Sequence, residues 1–406
     1  MKSELEKVVN AAESVREDIA IFLSELVKRK SLSGQEKNVV ERIAREMEKV
    51  GFDEIVVDGL GNIQGRVGNG KTIIAMDAHI DTVDIGDEQN WVVDPLGGEI
   101  KGGKVYGRGA ADQKAGMASL VYGMKLLKEL DLMDDFTVYV VGSVIEEDCD
   151  GLCWQYMVKE EGFKPDFVVI TEPTNLGVYR GQRGRIEYKV RTRGVSSHAS
   201  MPERGVNAIY KMAKLLNEIE RYNDELKKSA DPFLGKGSIV VSDIRSSSPS
   251  FNAVADFCEV HIDRRLTVGE TEETTKEELY KLAQRAGVEI EIEVPTYQAQ
   301  GFTGLEYSSK KYFPTWLIPE DHLLVKAACE TFSSLFRKSP RVGKWNFSTN
   351  GVATMGIFEI PTVGFGPGNE IYAHSPNEFC EIDQLVKAAA FYATFPKILV
   401  SKLKER

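Results

Sequence analysis

The chain has 406 residues, of which 42% are hydrophobic and 28% are charged. This length exceeds what a single hydrophobic core usually contains, so the sequence predicts two domains. The formal net charge of −11 disfavours nucleic acid and anionic membranes as partners, because both would repel an acidic protein without a basic stripe. We expect no signal peptide at the charged, amphipathic start, and no apolar run approaches the roughly 20 residues that span a bilayer.

Cysteine usage favours a reducing compartment. The five cysteines are sparse and odd in number, which is typical of free thiols in a cytoplasmic protein rather than of a disulfide framework. Cys149 and Cys153 form a C-x3-C pair, without a second Cys or His pair nearby to complete a tetrahedral zinc site. Two interpretations stay open for this pair: two small buried residues at the start of a helix, or a redox switch.

The first part of the chain alternates between helical and strand patterns. Helices are predicted over 5–28, 36–50, 116–130 and 151–160, and strands over 54–57, 62–66, 72–77, 136–145 and 167–170. Such alternation predicts an α/β fold with a mainly parallel sheet covered by helices.

The pattern changes at residue 184. Strands over 185–192, 237–243, 254–263 and 288–294, with helices over 205–226 and 272–285, make a βαββαβ unit that is typical of a ferredoxin-like α+β module. An irregular link is predicted over 295–319, before helix 321–336, strand 362–366 and helix 381–402 resume the first pattern. We therefore predict a domain formed by 1–183 and 296–406, with 184–295 inserted into it.

Two glycine-rich segments resemble nucleotide-binding motifs by their letters alone. Residues 65–72 match the P-loop expression G-x4-G-K-T, but a P-loop must open a helix whose amides contact phosphate. Thr72 instead opens a β-branched run, so a turn between two strands is predicted here. Residues 364–368 are interpreted as a loop after a strand.

Acidic and histidine side chains follow several of the predicted strands. Glu146 and Glu147 close a long apolar run, where two carboxylates are costly unless cations or donors meet them. His79 and Asp81 are two apart, so in an extended strand they face the same way and the carboxylate can fix the imidazole tautomer. Taken singly, the first pair could be a solvated turn and the second a surface pair or a buried structural histidine.

Further candidate ligands lie after strands or in glycine-rich loops: Asp112, Glu172 and His374. Ligands in open α/β sheets gather outside the carboxyl ends of the strands, so these scattered residues could converge on one spot. Together with the two pairs above, they predict a hydrolytic metal site. One of the adjacent glutamates would bind metal and the other would act as general base.

These residues resemble the M20 family of metallopeptidases and amidohydrolases, which includes acetylornithine and succinyl-diaminopimelate deacylases, aminoacylases and glutamate carboxypeptidases. The resemblance rests on five ordered blocks at 79–83, 107–112, 146–147, 171–174 and 373–374. More narrowly, residues 182–185, 146–154 and 347–351 are similar to a branch named a selenium-metabolism-linked hydrolase.

The resemblance implies a di-metal catalytic domain and an inserted lid that dimerises. Asp112 would bridge two divalent metal ions, zinc first with cobalt or manganese as alternatives. His79 and Glu172 would complete one metal site. Glu147 and His374 would complete the other. Asp81 would orient His79, and Glu146 would act first as general base and then as general acid.

The inserted domain carries three further residues to which the resemblance gives roles. His198 would reach the partner subunit's site to stabilise the oxyanion, unless it only caps a strand end. Asn252 would join it there. Arg265 would hold a substrate carboxylate, although Arg264 adjoins it and leaves that choice open. His261 and His322 match no block and are interpreted as structural.

The resemblance implies a cytoplasmic homodimeric hydrolase of an N-acyl, N-carbamoyl or dipeptide amide beside a free carboxylate. The choice between dipeptidase and deacylase stays open. Segment 348–351 departs from the Ser-Asp or Thr-Ser-Asp element of many deacylases. A non-catalytic small-molecule-binding homologue is the alternative from another class, although every catalytic position is filled.

Overall fold

The computed structural model describes residues 2–405, apart from the side chains of Lys2, Ser3 and Ser229. The helices run α1 Lys2–Ser14, α2 Arg16–Val27, α3 Lys37–Val50, α4 Lys114–Glu129, α5 Leu152–Lys159, α6 Ala208–Glu225, α7 Glu272–Ala286, α8 Leu323–Phe336, α9 Gly351–Thr354 and α10 Ile382–Lys404. None of the helices in this described part has both the length and the apolar character that crossing a bilayer requires.

The strands of the first half run β1 Glu54–Val57, β2 Ile63–Gly68, β3 Thr72–His79, β4 Ile100–Lys101, β5 Lys104–Tyr106, β6 Phe136–Ser143, β7 Phe167–Ile170, β8 Val178–Gln182 and β9 Gly184–Arg193. Those of the second half run β10 Ser238–Ser247, β11 Phe257–Leu266, β12 Glu291–Glu293, β13 Thr296–Gln300, β14 Glu306–Lys310, β15 Tyr312–Phe313, β16 Trp316–Leu317, β17 Val342–Trp345, β18 Thr362–Gly364 and β19 Phe379–Glu381.

A nine-stranded sheet forms the centre of the molecule, in the order β1-β2-β6-β3-β7-β18-β8-β16, with β17 beside β8. The neighbours β6, β3, β7 and β18 are parallel, and antiparallel strands flank them. The last six residues of β3 are buried, as expected for a β-branched and apolar strand that is covered on both faces. The predicted α/β fold with a mainly parallel sheet is confirmed.

The inserted unit has its own antiparallel sheet, in the order β10-β11-β9-β12, with β15 also beside β9. Its element order is strand β9, helix α6, strands β10 and β11, helix α7 and strand β12, which is the ferredoxin-like arrangement. Side chains alternate along β11 between buried and half-buried. One face of the sheet therefore packs against a separate apolar cluster that includes Leu215 and Leu279 of the two helices, while the other face is polar.

Two predicted elements differ from the structure. The single helix predicted over 5–28 is two helices that meet at Val15, where an apolar residue continues the amphipathic pattern and hides the break. The link predicted as irregular over 295–319 contains the hairpin β13–β14 and two short strands. Its aromatic residues take part in packing, since Tyr307 stacks edge-on against Tyr156 with ring centroids 5.3 Å apart.

The P-loop-like segment is a turn, as predicted. Strand β2 ends at Gly68 and strand β3 begins at Thr72, so no helix follows whose amides could contact phosphate. A Cβ at Gly70 would lie 1.9 Å from the backbone nitrogen of Phe136. The glycine therefore permits a close approach of this turn to β6 rather than a phosphate cradle.

Candidate metal centre

The candidate site lies where neighbouring parallel strands of the central sheet end. His79 is the last residue of β3, Glu146 comes three residues after β6, and Glu172 comes two residues after β7. Asp112 precedes α4, and His374 lies in the loop between β18 and β19. The carboxyl ends of parallel strands meet at one edge, which brings together residues from distant parts of the chain.

Five of the predicted ligands form two groups that share Asp112. In the first group, Nε2 of His79 lies 3.0 Å from Oδ1 of Asp112 and 3.5 Å from Oε1 of Glu172. In the second, Nε2 of His374 lies 2.9 Å from Oε2 of Glu147 and 3.5 Å from Oδ2 of Asp112. Within each group the ligand atoms lie within 4.8 Å of one another. The two oxygens of Asp112 thus face different groups, as a bridging ligand requires.

Burial and mutual repulsion dominate the electrostatics of these groups. Burial raises the pKa of Glu146 well above its usual range; the charge of His79 opposes this rise, and those of Asp150 and Glu172 add to it. Burial likewise raises the pKa of Glu172 and of Glu147. These carboxylates can ionise together at neutral pH only if additional positive charge compensates them.

The pKa values of the two histidines and of the shared aspartate shift in favour of the charged forms instead. Burial lowers the pKa of His79, but the charges of Glu172 and Glu146 outweigh it and leave the pKa well above its usual range. The hydrogen bond to Glu147 raises the pKa of His374. For Asp112 the penalty of burial is outweighed by the hydrogen bond to His79, so its pKa is lowered. Each imidazole thus lies beside a carboxylate that stabilises the positively charged form of the ring.

The donor set fits divalent cations. Oε2 of Glu172 and Oε1 of Glu146 are buried and have no hydrogen-bond partner within the described residues. A buried carboxylate oxygen without a donor is costly. A cation in the first group would satisfy the oxygen of Glu172 and compensate the charge of Glu146. Two imidazoles and three carboxylates are ligands that zinc and related divalent metals accept.

Asp81 contacts both His79 and the glutamate pair. Nδ1 of His79 lies 3.0 Å from the backbone oxygen of Asp81 and 3.6 Å from its carboxylate. The same carboxylate accepts the backbone N–H groups of Glu146 at 3.2 Å and Glu147 at 3.1 Å. Strand β6 ends at Ser143 rather than at the predicted residue 145, so this turn, and not a continued strand, directs the two glutamates.

Two buried acids that the sequence analysis missed, Glu378 and Glu36, accept hydrogen bonds from backbone segments that carry site residues. Oε1 of Glu378 accepts the backbone N–H groups of Ala111 at 2.8 Å and Asp112 at 2.9 Å, and its Oε2 accepts Nη1 of Arg108 at 2.6 Å. Glu36 accepts the backbone N–H of Ile145 at 3.1 Å. An arginine within a glycine-rich block, Arg108, is the sequence signal that could have pointed to a buried acidic partner.

Two of the predicted residues of the inserted unit, His198 and Asn252, lie in neighbouring loops. His198 is exposed, and its Nδ1 lies 2.7 Å from the hydroxyl of Ser200. The backbone oxygen of Asn252 accepts the N–H of Ala199 at 2.7 Å, so the loops of His198 and Asn252 are paired. Neither residue is hydrogen-bonded to the five ligands within residues 2–405.

The two neighbouring arginines have different surroundings. Arg264 is buried against helix α7, with ion pairs to Glu270 at 2.7 Å and Glu278 at 3.1 Å. Arg265 lies on the polar face of the sheet and pairs with Asp263 at 2.7 Å. Arg265 is therefore the residue of the two that a substrate could reach.

The cysteine pair is buried beside the site. Burial raises the pKa of Cys149 to about 12, and the Sγ of Cys153 donates to Oδ1 of Asn350 at 3.3 Å. Protonated, buried thiols react slowly with oxidants. This observation favours the structural interpretation of the pair over the redox switch.

Residues 75–397 match the model of peptidase family M20/M25/M40. The chain belongs to this family. It is therefore an enzyme of the metallopeptidase and deacylase type, a hydrolase that acts on amide bonds.

Among its relatives, the chain is 49% identical over 389 residues to the uncharacterized protein YgeY of Escherichia coli (strain K12), covering 96% of each chain. It is 29% identical over 364 residues to acetylornithine deacetylase of Vibrio atlanticus (strain LGP32), covering 86% of this chain and 88% of that one. The fold is similar to that of the Bacillus subtilis YXEP protein, a dinuclear metal binding peptidase, with a TM-score of 0.71 at 14% identity, covering 96% and 99% of the two chains.

Proposed function

We propose that this M20 hydrolase is a di-zinc enzyme that cleaves an N-acyl, N-carbamoyl or dipeptide amide beside a free carboxylate. The observation that supports this proposal is the pair of ligand groups that share Asp112, with the unbonded oxygen of Glu146 beside them. His79 and Glu172 would hold one cation with Asp112. Glu147 and His374 would hold the other.

Two zinc ions there would act as Lewis acids that polarise the scissile carbonyl and lower the pKa of water. Glu146 takes a proton from the attacking water and returns it to the departing amine. Burial raises the pKa of Glu146, which favours the protonated acid that returns the proton to the amine. The carboxylate of Asp81 holds Glu146 in place by accepting a hydrogen bond from the backbone N–H of Glu146.

We propose that residues 184–295 form the inserted domain, that 1–183 with 296–406 form the catalytic domain, and that the inserted domain mediates a homodimer. Support comes from β10, the edge strand of the inserted sheet. Its Val240 and Ile244 are about half exposed, and Phe251 in the following loop is fully exposed. An apolar sheet edge is a surface that a second chain can cover. In such a dimer His198 would reach the partner's site and stabilise the oxyanion, with Asn252 beside it.

A cytoplasmic location is a further part of the proposal. All five cysteines are free, and four of them are buried, which suits a reducing compartment.

Release of free amine tests the proposed activity. A panel of dipeptides, N-acetyl amino acids and N-carbamoyl amino acids would be incubated with the full-length protein before and after treatment with a chelator. We expect turnover of one class, its loss on chelation, and its recovery with zinc or cobalt. Turnover that is indifferent to the chelator would contradict a metal-dependent mechanism.

A further inference from the structure

Two arginines lie side by side on the polar face of the inserted sheet. Arg185 of β9 is directly opposite Arg265 of β11 in the register of the two strands. Like charges directly opposite one another destabilise a sheet unless anions compensate them. The carboxylates beside each guanidinium therefore indicate whether the N–H donors of that arginine are already occupied.

Arg265 is already paired within the sheet. Its Nε donates to one oxygen of Asp263 at 2.7 Å and its Nη2 to the other at 3.2 Å. This two-point pairing uses the planar fork of the guanidinium, so Arg265 can bind a substrate only in competition with Asp263.

Arg185 is different because its guanidinium makes no hydrogen bond within the described residues. Its Nη2 lies 3.9 Å from Asp150 and 3.8 Å from Glu187, both too long for hydrogen bonds, and its Nε is buried without a partner. Its side chain is 23% exposed, and it lies over the ring of Phe313 at 4.6 Å. The guanidinium is thus held in one place, and its N–H donors have no hydrogen-bond partner within the described residues.

Asp150 places this arginine beside the general base. It follows Glu146 by four residues in the same turn. Burial raises the pKa of its carboxylate, and the neighbouring Arg185 and Ser348 lower it. The amide of Gln182 donates to the hydroxyl of the same Ser348 at 3.2 Å. Three segments that are far apart in the chain therefore meet next to Glu146, with Arg185 among them.

We propose that Arg185 binds the carboxylate of the substrate and so selects substrates with a free carboxylate beside the scissile amide. The inference rests on the proposed amide hydrolysis and adds the residue that determines its specificity. A carboxylate matches the planar fork in two-point geometry, which a lysine ammonium cannot reproduce. Asp150 and Glu187 orient the guanidinium from 3.9 Å and 3.8 Å without occupying its donors.

The test compares the best substrate of the panel with its carboxamide, which differs only in lacking the charge. The wild-type enzyme should prefer the carboxylate in kcat/KM, and Arg185→Gln should lose about 100-fold of this preference, a loss in the range for a hydrogen bond to a charged group. Arg185→Lys should recover only part of it. A preference that survives in Arg185→Gln, or that disappears in Arg265→Gln instead, would overturn the assignment.

Arg191 provides the matched control. It lies on the same strand as Arg185, but Glu259 at 2.5 Å and Glu293 at 2.7 Å already pair its guanidinium. We expect Arg191→Gln to keep the full preference for the carboxylate. Loss of the preference in this variant too would indicate a general effect of charge on the sheet and would count against a specific role for Arg185.

A binding measurement separates this inference from the proposed activity. N-acetylglycine and N-acetylglycinamide would be titrated into the metal-loaded Glu146→Gln protein by nuclear magnetic resonance, with and without Arg185→Gln. We expect the carboxylate probe to bind, the carboxamide to bind more weakly, and the difference to disappear with Arg185→Gln. No binding of the carboxylate probe at tens of millimolar would overturn the inference, whatever the panel shows about turnover.

Discussion

Glu378 fixes the backbone of Asp112 through its buried carboxylate. Its carboxylate accepts the backbone N–H of Asp112 at 2.9 Å and the guanidinium of Arg108 at 2.6 Å. Glu378 also follows the ligand His374 by only four residues. One buried ion pair therefore connects the proposed bridging ligand with the loop of a second ligand, and the alignment of the two ligand groups depends on it.

This connection predicts the effect of Glu378→Gln. Burial raises the pKa of Glu378 to about 7 against the opposing charge of Arg108, so the comparison is made at pH 8, where the acid is ionised. Glutamine can still accept the backbone N–H groups but leaves Arg108 buried and unpaired. We expect a loss of about 3 kcal/mol in the free energy of unfolding by urea and metal affinity weakened by about 10-fold or more.

The matched control is Glu54→Gln, which removes an acid from the exposed pair with Arg66. That change should cost less than about 1 kcal/mol. If Glu378→Gln were as mild as Glu54→Gln and retained both metals at unchanged affinity, the supporting role of Glu378 would be wrong.

Glu146 and Glu147 are adjacent in sequence, yet we expect opposite results from their amide variants. Glu146→Gln should retain both metals and lose turnover by about 100-fold or more, because the amide cannot accept the proton of the attacking water. Glu147→Gln should lose one metal. Elemental analysis and amine release on the two purified variants check this. A Glu146→Gln enzyme with near-normal rates would contradict its role as the base.

His198 provides a test of the proposed dimer. His198→Ala should reduce turnover much more than metal content, since the exposed side chain is hydrogen-bonded to Ser200 and to none of the candidate ligands among the described residues. Co-expression of His198→Ala with Glu146→Gln chains should restore activity, because a mixed dimer would contain one site with both residues intact. Mixed dimers as inactive as the two parents would argue that His198 does not act across subunits.

Glu36 predicts a pH dependence of stability. Burial, and then the charge of Asp81, raise its pKa to about 8, compared with about 4.3 in an unfolded chain. Folding therefore favours the protonated acid, and the resulting loss of stability develops from pH 4.3 upward and is complete above pH 8. This shift corresponds to about 5 kcal/mol at most.

Glu36→Gln should remove this dependence, since its carbonyl oxygen can accept the same backbone N–H groups from Gly34 and Ile145. The free energy of unfolding by urea, measured at pH 5.5 and pH 8.5, should fall less between the two pH values in the variant than in the wild type. An identical decline in both proteins would show that Glu36 is not the group responsible.

The fold was predictable from sequence where one physical signal dominated. The β-branched run of β3 predicts its start at Thr72, and Gly51 ends α3 in the left-handed conformation, with φ of 85°. The hairpin β13–β14 was missed although exposed and covered side chains alternate along both strands. Its contact with α5 joins Tyr307 to Tyr156, and no local pattern reveals a contact between such distant positions. The break at Val15 is likewise decided by how α1 and α2 pack.

The residues of the site likewise divide into those that the sequence predicted and those that it did not. The five candidate ligands could be predicted because strand ends converge, and the structure brings them together in two groups that could hold metal ions. Glu378 and Glu36 were missed because both act through backbone N–H groups of distant segments, a role that no local pattern reveals. The role proposed for Arg185 emerges only from its contacts, since a sequence does not distinguish arginines with hydrogen-bonded donors from those without.

Metal content measured together with amine release tests the central claim most directly. Elemental analysis of the wild-type protein should give about two divalent metals per chain, with turnover on one class of the panel, and Asp112→Asn should lose both metals and all turnover together. If the wild-type protein bound no metal even after incubation with zinc or cobalt, or if Asp112→Asn kept both metals, the two-metal site with a shared aspartate would be contradicted.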